Sequence, residues 1–508
     1  MQVFVACRNR VLRGRRHTSS PPHRDSGSPT KAHRNTITAC GGVLAMNAQA
    51  ITSTATSSKA FVVFVCVLAA LAGLMFGLDI GVISGASQFI QAEYKVSDHT
   101  IEWIVSSMMF GAAVGALAAG WLSGHLGRKR SLVLGAILFV IGSLLSGFAW
   151  SPETLIAARV VLGLAIGIAS FTAPLYLAEV APEHIRGAMI STYQLMITIG
   201  IFVAFLSDTA FSYNGAWRWM LGIIAIPGAL FLLGVLFLPD SPRWLLMRGR
   251  REEAIDVLQR LRGDRAVVAR ETADIEEQLK TPQRGWHLFA ENRNFRRSVW
   301  LGVLLQLMQQ FTGMNVVMYY APRIFKEMGY DTSAQMWFTA LVGLTNVLAT
   351  FIAIALIDRW GRKPILYTGF TVMAVGLGVV GTMMHNGIHD HSAQIFTVTM
   401  LLIFIVGFAM SAGPLIWTLC SEIQPLKGRD FGIGVSTFTN WICNMIVGFT
   451  FLSLLNSIGN AGTFWMYAAL NAVFILLTFW LIPETKGVTL EQIERNLLSG
   501  KKLRDIGR

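Results

Sequence analysis

The sequence has little charge for its length, and this scarcity excludes a soluble globular protein. Only 14% of its 508 residues are charged, 53% are hydrophobic, and the mean hydropathy is +0.52. A soluble protein carries about 25% charged residues. Long apolar runs recur along the whole chain, which indicates a protein that crosses the membrane many times.

Other signals are missing, and each absence excludes a class of function. The five cysteines show no CxxC or similar metal-ligand spacing, and those in apolar segments are expected to be small buried hydrophobes. The sequence contains no GxxxxGK[ST] motif for ATP binding and no nucleophile–base pattern of an enzyme. His385, His389, Asp390 and His391 cluster in one loop without a second group of ligands. We therefore expect no metal, no cofactor and no catalytic residues.

The net charge of +13 does not indicate nucleic-acid binding, because much of it lies at the N-terminus. Residues 1–45 contain eight Lys and Arg residues against one Asp. Residues 1–58 are rich in Ser, Thr, Arg and Pro and have no periodicity, so they are predicted to be a disordered extension. An alternative is that translation starts at Met46 and that residues 1–45 are a misassigned start.

Twelve apolar segments of about 20 residues fall into two groups of six. They begin near residues 61, 101, 131, 153, 187 and 217, and near residues 298, 335, 364, 393, 431 and 462. The predicted parts are an N-terminal bundle at 59–239, a linker at 240–297, a C-terminal bundle at 298–483 and a tail at 484–508.

Lys and Arg concentrate in the linker and in loops that follow even-numbered segments, which predicts that both termini are cytoplasmic. REEAIDVLQRLRG in the linker has the apolar spacing of an amphipathic helix. This helix is expected to lie under the bundles, and docking of another protein is the alternative.

The two halves repeat each other. GRK at 127–129 recurs at 361–363, and GLDI at 77–80 recurs as GMNV at 313–316. A Glu precedes an Arg by seven residues in both halves, and PDSPR recurs as PETKG. The pattern indicates a duplicated six-helix unit, which places a substrate between the halves.

The repeated charges lie where loops meet the membrane. We expect them to pair between neighbouring loops and to clamp the cytoplasmic ends of the bundles together when the transporter faces outward. The alternative is that they are passive interfacial anchors. The predicted cytoplasmic gate consists of Arg128, Glu179, Arg186, Asp358, Arg362, Glu422 and Arg429.

The segment LLQLMQQFTGMNVVMYYAP at 304–322 is apolar but carries four carboxamides. Gln306, Gln309 and Gln310 share one helix face, and a break at Gly313 would turn Asn315 toward them. Carboxamides both donate to and accept from sugar hydroxyls without carrying charge. The stripe favours a wet cavity for a polar substrate, with hydrogen bonding between helices as the alternative.

Asp79 is the only charged residue between Phe61 and Ile90. A carboxylate in the middle of a span costs roughly 2.5–3.5 kcal/mol on insertion scales. Arg159 is the expected partner. We hypothesise that proton binding at Asp79 releases Arg159 and permits sugar binding and inward movement; a static ion pair is the alternative.

The motifs GRKRS, RWGRKP, PDSPR, QQFTGMN, GPLIW and PETKG make the chain resemble the sugar porter family of the major facilitator superfamily over roughly residues 59–508. The resemblance implies an all-α membrane protein of twelve transmembrane helices in two six-helix bundles with a cytoplasmic helical linker. It also implies a secondary active importer in the bacterial inner membrane that couples hexose (galactose or glucose) entry to protons by alternating access. Its partners would be a monosaccharide, protons and the lipid bilayer, without nucleic acid or an obligate protein partner.

The resemblance also implies roles for individual residues. Asp79 and Arg159 match the proton-coupling pair of the family, and Trp417 matches the ring that packs against the sugar, although core or lipid packing is its alternative role. Gly124-His125 departs from the loop motif of the family, which weakens that part of the gate. The sugar-binding residues implied are Gln194, Gln306, Gln309, Gln310, Asn315, Asn346, Trp417, Asn440 and Asn444.

Three other functions stay open at this point. A facilitative sugar uniporter would have the same fold, and for it Asp79 would be dispensable. A proton symporter that prefers arabinose or xylose would differ only in residues behind the amides. A membrane enzyme would need catalytic residues clustered at one membrane face, and none is evident in the sequence.

Overall fold

The computed structural model describes the backbone of residues 31–507 apart from 183–184, 281–284 and 389. The side chains of residues 31–59, 186–188, 357–358 and 426 also lie outside the description. Every regular element in the described part of the chain is helical. Residues 1–30 of the predicted N-terminal extension are therefore not covered, and the first helix, Lys31–Tyr94, begins inside that extension.

The predicted twelve spans are present, although one helix contains two of them and three other spans are each divided between two helices. Ten described helices are long and apolar enough to cross a membrane. The 53-residue helix Arg429–Leu481 would be about 80 Å long if straight, against a hydrocarbon thickness of about 30 Å. It has a non-helical residue at Gly459 (φ 76°, ψ 168°), where it divides into two spans.

We number the segments spans 1 to 12. Spans 1 to 6 are Ala60–Tyr94, Asp98–His125, Arg128–Gly147, Pro152–Val180, Arg186–Ser212 and Trp217–Leu236. Span 7 consists of Arg293–Gln310 and Met314–Glu327, and spans 8 and 9 are Thr332–Trp360 and Arg362–Asn386. Span 10 is His391–Ala409 with Ala412–Glu422, and spans 11 and 12 are the two parts of Arg429–Leu481.

Among the described residues, five shorter α-helices lie outside the spans. They are α1 (Pro242–Met247), α2 (Arg251–Arg262), α3 (Arg265–Leu279), α4 (Gly285–Glu291) and α5 (Leu490–Leu498). The predicted amphipathic helix is α2, which buries Ala254, Leu258 and Leu261. We call the end of the molecule that carries the linker helices the linker face, and the other end the opposite face.

The duplicated loop motif has the same backbone conformation in both halves. Gly127 begins span 3 with φ 92° and ψ 162°, and Gly361 begins span 9 with φ 93° and ψ 168°. Glycine adopts positive φ without the steric cost that a Cβ imposes. The sequence repeat therefore corresponds to a repeated turn that starts the third helix of each bundle.

Span 1 packs on span 5 through glycines spaced four residues apart. A Cβ added to Gly77 would lie 2.0 Å from the Ile197 carbonyl oxygen, and one added to Gly81 would lie 2.3 Å from the Ala204 Cβ. Small residues allow such close helix contacts, and membrane helices use them because lipid provides no hydrophobic drive for association.

The two bundles are joined by hydrogen bonds at the opposite face. Glu102 of span 2 accepts from the backbone N and the Oγ of Ser453 in span 11, both at 2.7 Å. Asp98 accepts from the Asn456 amide at 3.1 Å. These contacts tie spans 2 and 11 together at this end.

Spans 5 and 8 form a second seam at the same face. Thr209 Oγ1 donates to the Met336 carbonyl at 3.3 Å, and Trp337 Nε1 donates to the Tyr213 hydroxyl at 3.1 Å. Both seams connect the N-terminal bundle to the C-terminal bundle, so the opposite face is closed in this structure.

Apolar contacts extend this closure toward the middle of the molecule. A Cβ on Gly343 would lie 3.0 Å from Phe202 Cα, and one on Gly448 would lie 3.7 Å from Met109 and 3.9 Å from Tyr319. The predicted amide residues of spans 5, 7, 8 and 11 all lie on the linker side of these contacts along their helices. The candidate site is therefore shut off from the opposite face.

The close packing of span 1 predicts a destabilising effect of one added methyl group. Gly77→Ala should lower the free energy of unfolding by about 1–3 kcal/mol, because the new Cβ meets a backbone carbonyl that cannot move aside. Thermal unfolding of the purified protein would measure this effect. Gly124→Ala is the matched control, since no atom lies within 4 Å of its added Cβ; equal unfolding temperatures for both variants would contradict the prediction.

Candidate functional site

Asp79 and Arg159 form an ion pair inside the N-terminal bundle, as predicted. Arg159 Nη1 donates to Asp79 Oδ1 at 2.5 Å, and neither side chain has any exposed surface. The atoms Asp79 Oδ2, Arg159 Nε and Arg159 Nη2 have no hydrogen-bond partner among the described residues. A guanidinium and a carboxylate can form two parallel hydrogen bonds, so this buried pair is only partly satisfied.

The helix geometry of span 1 explains why Asp79 meets span 4. Gly77 and Gly81 face span 5, and Asp79 lies midway between them in sequence. Two residues correspond to about 200° of rotation on an α-helix, so the carboxylate points away from span 5. The same helix therefore presents a glycine face to one neighbour and a charge to another.

Three buried amides of the C-terminal bundle bind to one another and to the backbone. The Asn440 amide donates to Gln306 Oε1 at 2.7 Å and to Gln309 Oε1 at 2.9 Å. Gln309 donates in turn to the carbonyls of Ala412 and Gly413 at 3.0 and 2.9 Å. Gln306 and Gln309 thus connect spans 7, 10 and 11, which is the interhelical role that the sequence left as the alternative.

The break in span 7 brings Asn315 beside Gln310, as the sequence predicts. Gly313 adopts a left-handed conformation (φ 90°, ψ 4°) between the two helices of span 7. The Asn315 amide donates to Gln310 Oε1 across this break. The Gln310 amide nitrogen and the Asn315 amide oxygen have no partner among the described hydrogen bonds.

The other predicted sugar-binding residues differ in their contacts. The side chains of Gln194 and Asn346 have no hydrogen-bond partner within the described part of the chain. Asn444 accepts from the Tyr319 hydroxyl at 3.1 Å. Trp417 is 38% exposed, whereas most of its half of span 10 is buried, so its ring is open to an incoming molecule or to lipid.

Two aromatic features that the sequence reasoning missed lie near these residues, and one of them is a contact between the bundles. Tyr319, which binds Asn444, lies within electrostatic range of Asp79 and Arg159. The rings of Phe76 in span 1 and Trp441 in span 11 are 5.2 Å apart. Aromatic residues in apolar spans resemble ordinary core residues, and the Tyr-Tyr pair beside the carboxamide stripe was the only available signal.

The predicted gate residues form matching clusters in the two halves. Arg128 Nη2 lies 2.7 Å from Glu179, which also accepts from the Ser241 hydroxyl. Arg362 Nη2 lies 2.9 Å from Glu422, which accepts from Thr485 Oγ1 at 2.6 Å. Both pairs join helices of a single bundle, so in this structure they do not clamp the two bundles together, and the predicted gate stays a prediction.

The three remaining predicted gate residues are Arg429, Arg186 and Asp358. Arg429 is partly buried, and its Nε has no hydrogen-bond partner among the described residues. The side chains of Arg186 and Asp358 lie outside the described residues, so their predicted pairing stays a prediction. Among the described residues, no group of three or more potential metal ligands is found, and His389 lies outside them.

Comparison with curated proteins gives extensive similarity to bacterial sugar symporters. The chain is 69% identical to the galactose-proton symporter of Escherichia coli (strain K12) over 452 residues, which cover 89% of this chain and 97% of that protein. It is 60% identical to the arabinose-proton symporter of the same strain over 448 residues, which cover 87% and 95%.

Solved structures of a xylose transporter share the fold. The partially occluded, inward-open form of XylE from E. coli has a TM-score of 0.75 and 28% identity, covering 85% of this chain and 100% of that one. The form bound to 6-bromo-6-deoxy-D-glucose has a TM-score of 0.72 and 28% identity, covering 88% and 99%. A family model described as "Sugar (and other) transporter" matches residues 65–497. On this family match and these relatives, the chain belongs to the sugar transporter family of the major facilitator superfamily and is a multi-pass membrane transporter, not an enzyme.

Proposed function

We propose that this protein is a proton-coupled importer of a hexose, with galactose as the first candidate, in the bacterial inner membrane. The observation that carries the proposal is the buried Asp79–Arg159 pair, which lies within electrostatic range of Tyr319. Tyr319 in turn binds Asn444 in the amide-rich half of the molecule. Tyr319 thus lies near the titratable pair and binds one of the sugar-compatible amides. The high identity to a galactose-proton symporter supports the same assignment.

Asp79 is proposed as the proton site. Protonation would neutralise the carboxylate and weaken its single hydrogen bond to Arg159, which would then be free to move or to find another acceptor. Tyr319 is the neighbour that would sense this change, and through Asn444 it reaches span 11. One proton moving down 100 mV supplies roughly 2.3 kcal/mol, which corresponds to about a fortyfold sugar concentration ratio.

The sugar is proposed to bind to amides that come from both bundles. Gln194 and Asn346 lack described partners and lie on the linker side of the closed contacts, while Gln310 and Asn315 each keep one amide group available. Gln306, Gln309 and Asn440 would hold span 7 in place, and their remaining hydrogen-bond donors and acceptors would bind sugar hydroxyls. Trp417 would pack against the apolar face of the sugar ring. A pentose such as arabinose is the second candidate, because the chain is 60% identical to an arabinose-proton symporter.

Both termini and the linker are proposed to be cytoplasmic, following the distribution of Lys and Arg. The structure would then be an inward-facing form, since the bundles are joined at the opposite face and the charge clusters at the linker face join helices of one bundle. In the outward-facing form, the two clusters would be brought together and would latch the linker face shut.

Replacing Asp79 tests the proton site. Asp79→Asn should reduce the sugar accumulation ratio from about fortyfold to about one, because the amide cannot carry a proton down the membrane potential. Exchange of labelled for unlabelled sugar, which needs no net proton movement, should survive. Labelled galactose uptake into energised cells, with and without a protonophore, measures both quantities.

The matched control is Asp256→Asn, which removes an exposed carboxylate of α2 outside the spans. It should accumulate sugar as the wild type does. Wild-type uptake that only equilibrates and ignores the protonophore would instead identify a facilitative uniporter, with Asp79 as a structural residue. Recovery of chemically altered sugar would contradict transport without catalysis.

The proposal divides the amides into those that contact sugar, such as Asn346, and those that hold the bundle together, such as Gln309. Asn346→Ala should raise the half-saturation concentration for sugar roughly three- to tenfold by removing one hydrogen bond, with little change in unfolding temperature. Gln309→Leu should lower the free energy of unfolding by about 1–3 kcal/mol, because it leaves the buried Asn440 amide without one acceptor. If Asn346→Ala destabilised the protein and left sugar affinity unchanged, its proposed role would be wrong.

The latch predicts that charge reversals act in pairs. Glu422→Arg or Arg362→Glu alone should shift the population toward the inward-facing form, because a cluster with charges of one sign can no longer pair with the cluster of the other bundle. The half-saturation concentration on the opposite side should then rise about tenfold for each 1.4 kcal/mol. The double reversal should restore it. Transport in sided vesicles measures this, and trypsin, which should cut the Arg-rich linker only in inside-out vesicles, reports the orientation. Folded single variants with unchanged affinity on both sides would make these residues passive anchors.

A further inference from the structure

Asp208 on span 5 is a second buried carboxyl group in the membrane-spanning part of the molecule. Its side chain is 1% exposed, and Oδ2 accepts a hydrogen bond from the backbone N of Gly85 at 3.1 Å. Its Oδ1 has no hydrogen-bond partner within the described part of the chain. Asp79 has an arginine beside it, but the ion pairs formed by the described residues do not include Asp208.

The carboxyl group lies directly against the backbone of span 1. A Cβ added to Gly85 would come within 2.3 Å of Asp208 Oδ2 and 2.6 Å of its Cγ. Glycine at this position therefore makes room for the carboxyl group, and the contact leaves no space for a water molecule between them. The carboxyl group is enclosed by packing.

Among the described residues, no ion pair reaches Asp208 from the helices packed against it; Arg159 of span 4 and Arg218 of span 6 pair with other carboxylates. On span 1 the nearest titratable residues in sequence are Asp79 and Glu93, and each pairs with an arginine of another span. On span 8 the contact is made by Met336, which follows the uncharged Gln335. Span 5 itself carries no Lys, Arg or His after its first residue.

Asp208 also lies at the seam that closes the opposite face. The next residue, Thr209, donates to the Met336 carbonyl of the other bundle at 3.3 Å. Separation of spans 5 and 8 would break this contact and would bring water to the end of span 5 that carries Asp208. The surroundings of the carboxyl group therefore depend on whether the opposite face is closed or open.

We propose that Asp208 is a second proton-binding site, which holds a proton on its carboxyl oxygen while the opposite face is closed and releases it to water when that face opens. A lone carboxylate is strongly disfavoured in apolar surroundings, whereas the neutral acid is tolerated and can donate a hydrogen bond. Water at the open face hydrates the carboxylate and removes this preference. By linkage, a rise in pH on the opposite side then favours the open form.

This proposal builds on the proposed proton symport, but the protonation state of Asp208 can be tested without transport. Infrared difference spectra of the full-length protein in liposomes, wild type minus Asp208→Asn at neutral pH, should show the C=O stretching band of a protonated carboxyl group, with the usual shift in D2O. Asparagine keeps an acceptor for the Gly85 N–H. If the difference spectrum shows a carboxylate band of the wild type and no protonated-acid band, the proposal is overturned.

A second variant tests the proposal even if Asp208→Asn fails to fold. Thr209→Val keeps Asp208 but removes the hydroxyl that closes the seam, so the opposite face should open more easily. As pH is raised, the protonated-acid band of this variant should therefore disappear at a lower pH than the band of the wild type. An unchanged titration in a variant that folds and binds sugar would contradict the link between protonation and opening.

Transport in a background without the first proton site tests the consequence. In Asp79→Asn, sugar exchange should still depend on the pH at the opposite side, by up to about tenfold per pH unit where one group titrates, and Asp79→Asn/Asp208→Asn should lose that dependence. Equal pH profiles of the single and the double variant would overturn the role of Asp208. A failure of the proposed symport is seen in a different measurement, because wild-type uptake would then never exceed equilibrium.

Discussion

The interaction on which the rest of the molecule depends is the hydrogen-bonded ion pair between Asp79 and Arg159. Two fully buried charges in an apolar bundle are tolerable only when each has the other close by, and removal of one partner leaves an uncompensated charge. The pair therefore constrains the rotation of span 1 and its distance from span 4. Span 1 meets this constraint because its glycines let span 5 approach closely on another side. Since the pair makes a single hydrogen bond, a proton can compete for the carboxylate.

The repeat shows how one structural unit has taken on two kinds of chemistry. At the linker face the halves agree closely, with an Arg–Glu pair, a hydroxyl donor and a glycine of positive φ in each. In the middle of the spans they differ, because the sequence repeat aligns Asp79 in GLDI with Asn315 in GMNV. One bundle carries a group that can gain and lose a proton, and the other carries neutral amides suited to hydroxyls. Because they lie on two bundles, the proposed coupling would have to pass across the interface, where Phe76 of one bundle meets Trp441 of the other.

The amides of span 7 illustrate that a polar stripe in a membrane helix serves structure as well as binding. Gln306 and Gln309 are held by Asn440 and by backbone carbonyls of span 10, and such a network is rigid when its members are satisfied. Within the described part of the chain, the side chains of Gln310 and Asn315 bond only to each other, across the break at Gly313. One set of amides is thus hydrogen-bonded and rigid, and the set beside it has hydrogen-bonding groups still free. This is the arrangement expected of a preorganised site that can bind a ligand.

The sequence by itself determined the number of spans, the duplication, the break in span 7 and the isolation of Asp79, because these follow from local hydropathy, helix periodicity and glycine conformation. It also identified Arg159 as the partner, since so few charges lie within the spans. Only the tertiary structure decided that Gln306 and Gln309 bind Asn440, that the charge clusters close within one bundle, and that Asp208 is buried against Gly85. These outcomes depend on helix rotation and on contacts between residues more than a hundred positions apart, which no local pattern records. Which face is closed is likewise a property of the packed bundles, because two arrangements of the same helices differ by only a few kcal/mol.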